Sequence, residues 1–392
     1  MINRLQINEI ERNLFKGKIL IVYGARQIGK TSLCKQILTK YADQGMQTKY
    51  FNCELSETQE ILNTRSLAKL KSLIGIYDLV VLDEAQKIPE IGEILKILVD
   101  NLPNTQVIAT GSSSFELANY TGEPLVGRSR KILMYPISSL EIIKQYDVNY
   151  LRENIYTFVQ FGMLPKVLTL DTRIDKIEEL EQITEGYLYK DLFKLEEVRK
   201  PALLEKLIKI LAHQVGSEVS SGSIANALQV SPITIDRYLD ILQKAFIIYK
   251  LPPYFKNLQS EIKNKPKYYF YDTGVLNTLL QNNYNLEASD KYLGGIWENF
   301  VVMEKIKQNS LLKSRHQFYY WRNKGGAEVD LVIKTANGLK ACEIKYNSNQ
   351  KAKLSKSFQE AYNPLSFEII NPVNFWQGTI VESGSIAESY LK

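Results

Sequence analysis

The spacing of apolar residues changes several times along the chain. Near the front, unbroken apolar runs alternate with helix-spaced stretches such as LCKQILTKYADQ; the runs are KILIVYG (18–24), IYDLVVLD (76–83) and TQVIATG (105–111). Short β-branched runs bounded by glycine or acids predict buried parallel strands joined by helices. From about 146 to 215 the spacing is helical, broken at FGMLPKV (161–167) by Gly162 and Pro165, a loop that carries no recognisable chemistry. Over 221–251, Ile224, Ala227 and Leu228 precede a turn at Val230–Ser231. Ser231 then serves as N-cap, Pro232 as first-turn proline, and Ile235, Leu239 and Leu242 as a buried stripe. That is a helix-turn-helix pattern, and the strand-like runs AFIIYKLPP and KPKYYFYDTG after it give a winged-helix outline.

The last hundred residues return to a mixed pattern. In GGIWENFVVMEKIKQN (294–309), Ile296, Trp297, Phe300, Val301, Val302 and Met303 cover nearly all sides of a helix, which predicts burial. The aromatic strand HQFYYWRN, a Gly325–Gly326 turn, AEVDLVIK, an Asn337–Gly338 turn and LKACEIKY then predict a hairpin sheet.

Composition narrows the class without naming a task. At 392 residues, with 45% hydrophobic and 23% charged residues, the chain should form two or three globular domains. No apolar run is long enough to span a membrane, and MINRLQINEIERNLFKGK lacks a signal-peptide apolar core, so a cytoplasmic protein with no membrane partner is expected. Three scattered cysteines give neither a disulfide framework nor zinc spacing. With two histidines, any metal should be a hard ion on oxygen ligands. The net charge of +6 permits an anionic partner without requiring one.

The first strand runs directly into GARQIGKTS and then a helix, the setting a phosphate-binding P-loop requires. Gly24, Ala25, Arg26, Gln27, Ile28, Gly29, Lys30, Thr31 and Ser32 would wrap the phosphates of ATP. Backbone N–H groups and the helix dipole would face the anion, Lys30 would reach the β- and γ-phosphates, and Thr31 would ligate Mg²⁺. The second strand ends in Asp83 and Glu84, at the sheet edge where ligands bind. Asp83 would hold the hydrated Mg²⁺ and Glu84 would polarise the attacking water. Ser112, after the third strand, suits either a γ-phosphate sensor or a plain N-cap. Arg128 suits either transition-state charge, from its own subunit or a neighbour in an oligomer, or a solvated loop.

GARQIGKT, VVLDEAQKIP, ATGSSS and LVGRSRKILMYPISSLE together resemble the bacterial and archaeal AAA-type P-loop ATPases that carry a C-terminal domain of unknown function. The resemblance spans most of the chain and implies an α/β fold. Its parts would be an AAA-type ATPase core (1–145), a helical lid (146–215), a winged-helix region (216–284) and a C-terminal α/β domain (285–392).

The C-terminal pattern adds separate chemistry. Glu298 lies inside an apolar coat, where a carboxylate is costly without a partner or a metal. Asp330 shares a strand face with Glu328, and Glu343 shares one with Lys345. By themselves these residues also fit an ordinary polar-out hairpin. Helix with Glu, strand with Asp and strand with Glu-x-Lys resemble the PD-(D/E)xK nuclease fold. The resemblance implies Mg²⁺ on Asp330 and Glu343, water activated or positioned by Lys345, and a metal shell completed by Glu298.

Nucleic-acid contact reads unevenly from the sequence. The second helix of the helix-turn-helix carries Asp236, Arg237, Asp240 and Lys244, which cancel and argue against base readout. The wing sets Lys250, Lys256, Lys263, Lys265 and Lys267 against Glu261, which suits phosphate contact, while packing or a protein partner suits the same outline. The FYYWR strand can stack bases or fill a core. The expectation is an ATP-binding, ATP-hydrolysing protein acting on DNA or RNA through a nuclease-like domain. The alternative is a signalling ATPase whose C-terminal domain binds a protein partner.

Overall fold

The computed structural model describes residues 2–112, 125–186, 192, 198, 200–255, 264–281 and 290–383. The wing positions Lys256, Glu261 and Lys263, and most of 187–199, lie outside the described residues. By its internal contacts the chain divides into two compact units. One is Arg4–Tyr135 with Lys244–Phe246, and the other is the remainder.

In the first unit, α1 (Gln6–Asn13) precedes β1 (Ile19–Tyr23), α2 (Lys30–Asp43), β2 (Thr48–Asn52), α3 (Ser56–Leu62) and α4 (Leu67–Ile74). β3 (Leu79–Asp83), α5 (Ile91–Asn101), β4 (Gln106–Gly111) and β5 (Ser129–Leu133) complete it. The sheet order is β2-β3-β4-β1-β5, and every pairing is parallel. β1, β3 and β4, the three expected apolar strands, take the three inner places. β3 and β4 are buried along their whole length, as strands covered on both faces must be.

The second unit begins with α6 (Ser139–Gln145), α7 (Val148–Phe161), α8 (Pro165–Leu168) and α9 (Arg173–Thr184). By its contacts the first unit closes at Tyr135, and the segment after it is held in the second: Glu304 Oε2 accepts the Ser139 N–H at 2.7 Å and Lys307 Nζ donates to Ile137 O at 3.0 Å. Both side chains come from α14, defined below. The FGMLPKV break also finds a role. Gly162, at φ +72°, lies against the Asp272 carboxylate, which accepts the Met163 N–H at 2.7 Å.

Next come α10 (Pro201–His213), α11 (Ser221–Leu228), α12 (Pro232–Lys244), β6 (Ile248–Leu251), β7 (Lys267–Phe270) and α13 (Thr273–Leu280). The helix pair and the antiparallel β6–β7 ribbon fall where the sequence predicts them. α14 (Asp290–Leu312) is the long buried helix. β8 (Gln317–Arg322), β9 (Glu328–Thr335), β10 (Gly338–Ile344), α15 (Lys356–Tyr362), β11 (Ser366–Ile370) and α16 (Phe375–Ser383) follow. The sheet order is β11-β10-β9-β8, antiparallel except for the parallel β10–β11 edge pair. The hairpin forms as expected, but Thr335 pairs with Gly338, so the loop is Ala336–Asn337 and Gly338 opens the strand. Phe318, Tyr320 and Trp321 are buried, which makes the aromatic strand a core element. Among the described residues no helix is long and apolar enough to cross a membrane.

Candidate functional sites

The P-loop leaves β1 with Gly24 at φ +147°, and a Cβ there would stand 2.3 Å from Met134 O. A side chain is sterically excluded at the point where the loop must pass β5. Gln27, a non-glycine at φ +60°, carries strain of the sort concentrated at ligand sites. Arg4 steadies the loop from outside the motif, donating to Ile28 O at 2.5 Å and to Tyr135 O at 2.6 Å. Lys30 Nζ turns onto the loop carbonyls of Gly24 (3.0 Å) and Ala25 (2.8 Å). Burial pulls its pKa below the usual lysine value, against the opposing pull of Glu84 and Asp83.

Asp83 is the hub behind the loop. Its Oδ2 accepts from Thr31 Oγ1 at 2.7 Å and from the Tyr50 hydroxyl at 2.6 Å, while Oδ1 accepts from Thr110 Oγ1. A carboxylate and a hydroxyl converging at the helix start fit a hard divalent ion, so Thr31 and Asp83 are the side chains suited to hold Mg²⁺. Glu84 sits at φ +54°, with its N–H on Thr110 Oγ1 at 2.9 Å. Gln86 Nε2 donates to Glu84 Oε2 at 2.5 Å and to Ser112 Oγ at 3.2 Å. Lys30, Thr31, Asp83, Glu84 and Ser112 therefore belong to one linked cluster.

Arg128 is not brought there. Its carbonyl accepts the Ile19 N–H at 2.9 Å, which places it at the opening end of β1, whereas the P-loop follows the closing end. Five strand residues lie between, roughly 15 Å of rise. Its guanidinium is paired with Asp100 at 2.7 Å. The expected role within the same subunit does not follow from this placement.

The C-terminal candidates come together from separate elements. The β9–β10 register pairs Cys342 with Leu331, so the next step sets Glu343 beside Asp330. Lys345 Nζ reaches both, at 2.7 Å from Glu343 Oε2 and 3.2 Å from Asp330 Oδ2, and Asp330 Oδ2 also accepts the Ile344 N–H at 2.8 Å. Burial and the neighbouring Asp330 push the Glu343 carboxyl up to about 7. Burial pulls on the Lys345 ammonium, but Asp330 and Glu343 outweigh it and hold its pKa above the usual value. Two buried carboxylates side by side fit a divalent cation.

Glu298, Asp330 and Lys345 line one cavity of about 350 Å³, with His213, Tyr292 and Tyr346 among its other walls. The Glu298 carboxylate is itself committed, because Oε1 accepts from Lys267 Nζ at 3.0 Å and from the Tyr269 hydroxyl at 2.7 Å. Among the described residues no three His, Cys, Asp or Glu side chains gather as a metal set, so Glu298 shares the cavity without closing on the other two acids. Lys267 departs from its expected place on an exposed wing. It is 1% exposed and also pairs with Glu328 at 2.6 Å, since β7 runs beneath α14. Gly216, at φ +75°, completes the enclosure, because a Cβ there would meet Glu298 Oε2 at 2.9 Å.

Residues 16–143 match the family described as AAA domain. Residues 16–143 form an AAA-type P-loop ATPase domain. Behind the ATPase domain, residues 152–286 and 293–379 match two families, each described as a domain of unknown function (DUF8612 and DUF4143). An uncharacterized protein of Mycobacterium tuberculosis is 29% identical over 357 residues, covering 90% of this chain and 75% of its own. One from Methanocaldococcus jannaschii is 26% identical over 388 residues, covering 93% and 83%. Among solved structures, the Walker-type ATPase of Pyrococcus abyssi matches with a TM-score of 0.50 at 16% identity. It covers 71% of this chain and 96% of that one, a likeness of fold.

Motif reading did not reveal the supports around the ATPase and C-terminal sites. Tyr50 and Thr110 reach Asp83 from neighbouring strands, and no local spacing announces them. Gln86 lies in the DEAQ stretch, two positions past Glu84, and that proximity is the available signal. Lys267 and Tyr269 alternate along KPKYYFYD, and an inward-facing lysine in a buried strand calls for an acidic partner.

Proposed function

We propose that this ATPase acts on nucleic acid and that its C-terminal region holds a Mg²⁺-dependent, PD-(D/E)xK nuclease-like centre. The observation that carries the reading is the convergence of Asp330 and Glu343 on the Lys345 ammonium, both within 3.2 Å of it, with Asp330 and Lys345 lining a cavity that Glu298 also lines. Asp330 and Glu343 would hold the ion, which supplies an acidified water and charge for the scissile phosphate. Lys345 would exchange one carboxylate contact for that water and orient it, and its ammonium would offset charge building on the phosphate. In the ATPase domain, Thr31 and Asp83 would hold Mg²⁺, Lys30 would leave the loop carbonyls for the γ-phosphate, and Glu84 would accept the proton of the attacking water. Arg128 keeps a role only as a charge donated to a neighbouring subunit.

Purified protein incubated with Mg²⁺ and labelled single- or double-stranded DNA or RNA, with and without ATP, tests the nuclease half. Cleavage that disappears in Glu343→Ala supports it. Intact substrate under every condition, or unchanged cleavage in Glu343→Ala, removes it. A second reading, a signalling ATPase whose C-terminal region binds a protein partner, is favoured by one observation. Lys345 already pairs with both acids, so the cluster also fits a plain ion-pair network. Metal affinity unchanged in Asp330→Ala would favour this second reading.

A further inference from the structure

Glu84 is held twice, and the second hold lies outside the P-loop and acid-pair motifs. Its main chain is fixed by Thr110, while its carboxylate is held by Gln86, whose Nε2 also donates to Ser112 Oγ. A single amide nitrogen thus joins the acid after β3 to the hydroxyl after β4. The amide's orientation is decided by its surroundings, since turning it over would set Oε1 against the Glu84 carboxylate. That orientation has a visible cost. Gln86 Oε1 is buried without a hydrogen-bond partner among the described residues, and such orphaned atoms are rare unless the side chain serves another purpose.

The hydrogen-bond inventory gives that purpose. A primary amide has two hydrogens, enough for one bond to Glu84 and one to Ser112. Ser112 Oγ, accepting from Gln86, keeps its own proton to donate toward a phosphate oxygen. Glu84 Oε2, accepting from Gln86, leaves Oε1 to receive a proton from water. We infer that Gln86 is a positioning residue that links the γ-phosphate side of the site, through Ser112, to the aim of Glu84. The inference rests on Glu84 acting as the base. Its bonds run to Glu84 and Ser112, and Gln86 acts through them.

The test uses steady-state ATP turnover and fluorescent-ATP binding by the full chain. Glu84→Gln is measured first. If it still hydrolyses ATP, the base role fails and Gln86 has no base to position. With that role standing, Gln86→Met, which preserves volume, should lower kcat about 10- to 100-fold while the KM for ATP moves less than about threefold. Ser112→Ala added to Gln86→Met should cost little more, because both act along one path. Gln86→Glu, which keeps the length of the arm but removes both amide hydrogens, should lower kcat as Gln86→Met does. Gln86→Asn should recover little turnover, as its shorter arm spans one partner at a time. Wild-type kcat in Gln86→Met overturns the inference, as does a loss confined to KM or full additivity with Ser112→Ala. If Gln86→Met does not fold, Gln86→Glu decides, and wild-type kcat in that variant overturns the inference.

Discussion

Lys30 and Lys345 both sit among acids, yet they arrive by different routes. Lys30 is delivered by its own loop, one residue after Gly29, and its partners Gly24 and Ala25 lie six and five positions back. Lys345 meets Asp330 only because β9 and β10 pair in one register, and the same cavity takes Glu298 from α14. Glu298 in turn depends on Lys267 and Tyr269 from β7, some thirty residues upstream. The Lys30–loop contact is local, while Asp83 and Glu84 after β3 and Ser112 after β4 complete the site around it. A site assembled from several elements inherits the stability of every strand that feeds it.

The largest expected effect falls on the ATPase site. Lys30→Ala removes the cation that must replace the loop carbonyls with phosphate oxygens, and it should weaken ATP binding at least about 100-fold. Stabilisation by saturating ATP in a thermal melt should vanish with it. Divalent-metal binding in the second unit should not change. A parallel loss of metal affinity there would show that the two sites are not independently built.

For the assembled site, the corresponding break is Lys267→Met. The change leaves Glu298 and Glu328 in a buried pocket without their shared ammonium, and stability should fall by roughly 3–5 kcal/mol. All three tryptophans, Trp297, Trp321 and Trp376, belong to the second unit, so their fluorescence during urea unfolding reports that unit alone. A loss below about 1 kcal/mol would mean that water reaches the pair and that Glu298 is not organised by β7.

These two cases mark how far the sequence could be read. The P-loop, the Asp83–Glu84 pair and the strands β1, β3 and β4 were legible because their chemistry and their burial repeat within a few residues. The set Asp330, Glu343 and Lys345 was legible as strand alternation, and the hairpin supplied its register. Lys267 was misread as an exposed wing cation, because a lysine's burial depends on what packs over it and α14 lies after it in the chain. Arg128 stands just before β5, and its sequence position leaves open which end of β1 it lies beside. In a parallel sheet, the start of β5 lies beside the start of β1, far from where β1 ends.

An intermediate effect comes from Glu343 and depends on pH. Its folded-state pKa is raised from 4.5 to about 7, so the folded chain holds this proton more tightly than the unfolded chain does. The resulting stability is fully present below about pH 4.5 and is lost as pH rises through about 7. In excess chelator, wild type minus Glu343→Gln should therefore lose about 2–3 kcal/mol of urea stability between pH 5 and pH 8. A flat difference would show that Lys345 alone balances both acids and that no proton is shared in the metal-free centre.

The smallest effect expected is that of Arg128→Ala, and its smallness is informative. Its guanidinium is an exposed partner of Asp100 at the edge of the sheet opposite the P-loop. ATP turnover at protein concentrations too low for association should then stay within about twofold of wild type, since exposed pairs contribute little. Turnover should be compared again at high concentration, where a neighbouring subunit would gain or lose the charge. A drop specific to high concentration would assign Arg128 to the neighbour's nucleotide and make the ATPase site, like the C-terminal one, dependent on a distant element. A drop at both concentrations would contradict the placement of Arg128 on its own sheet.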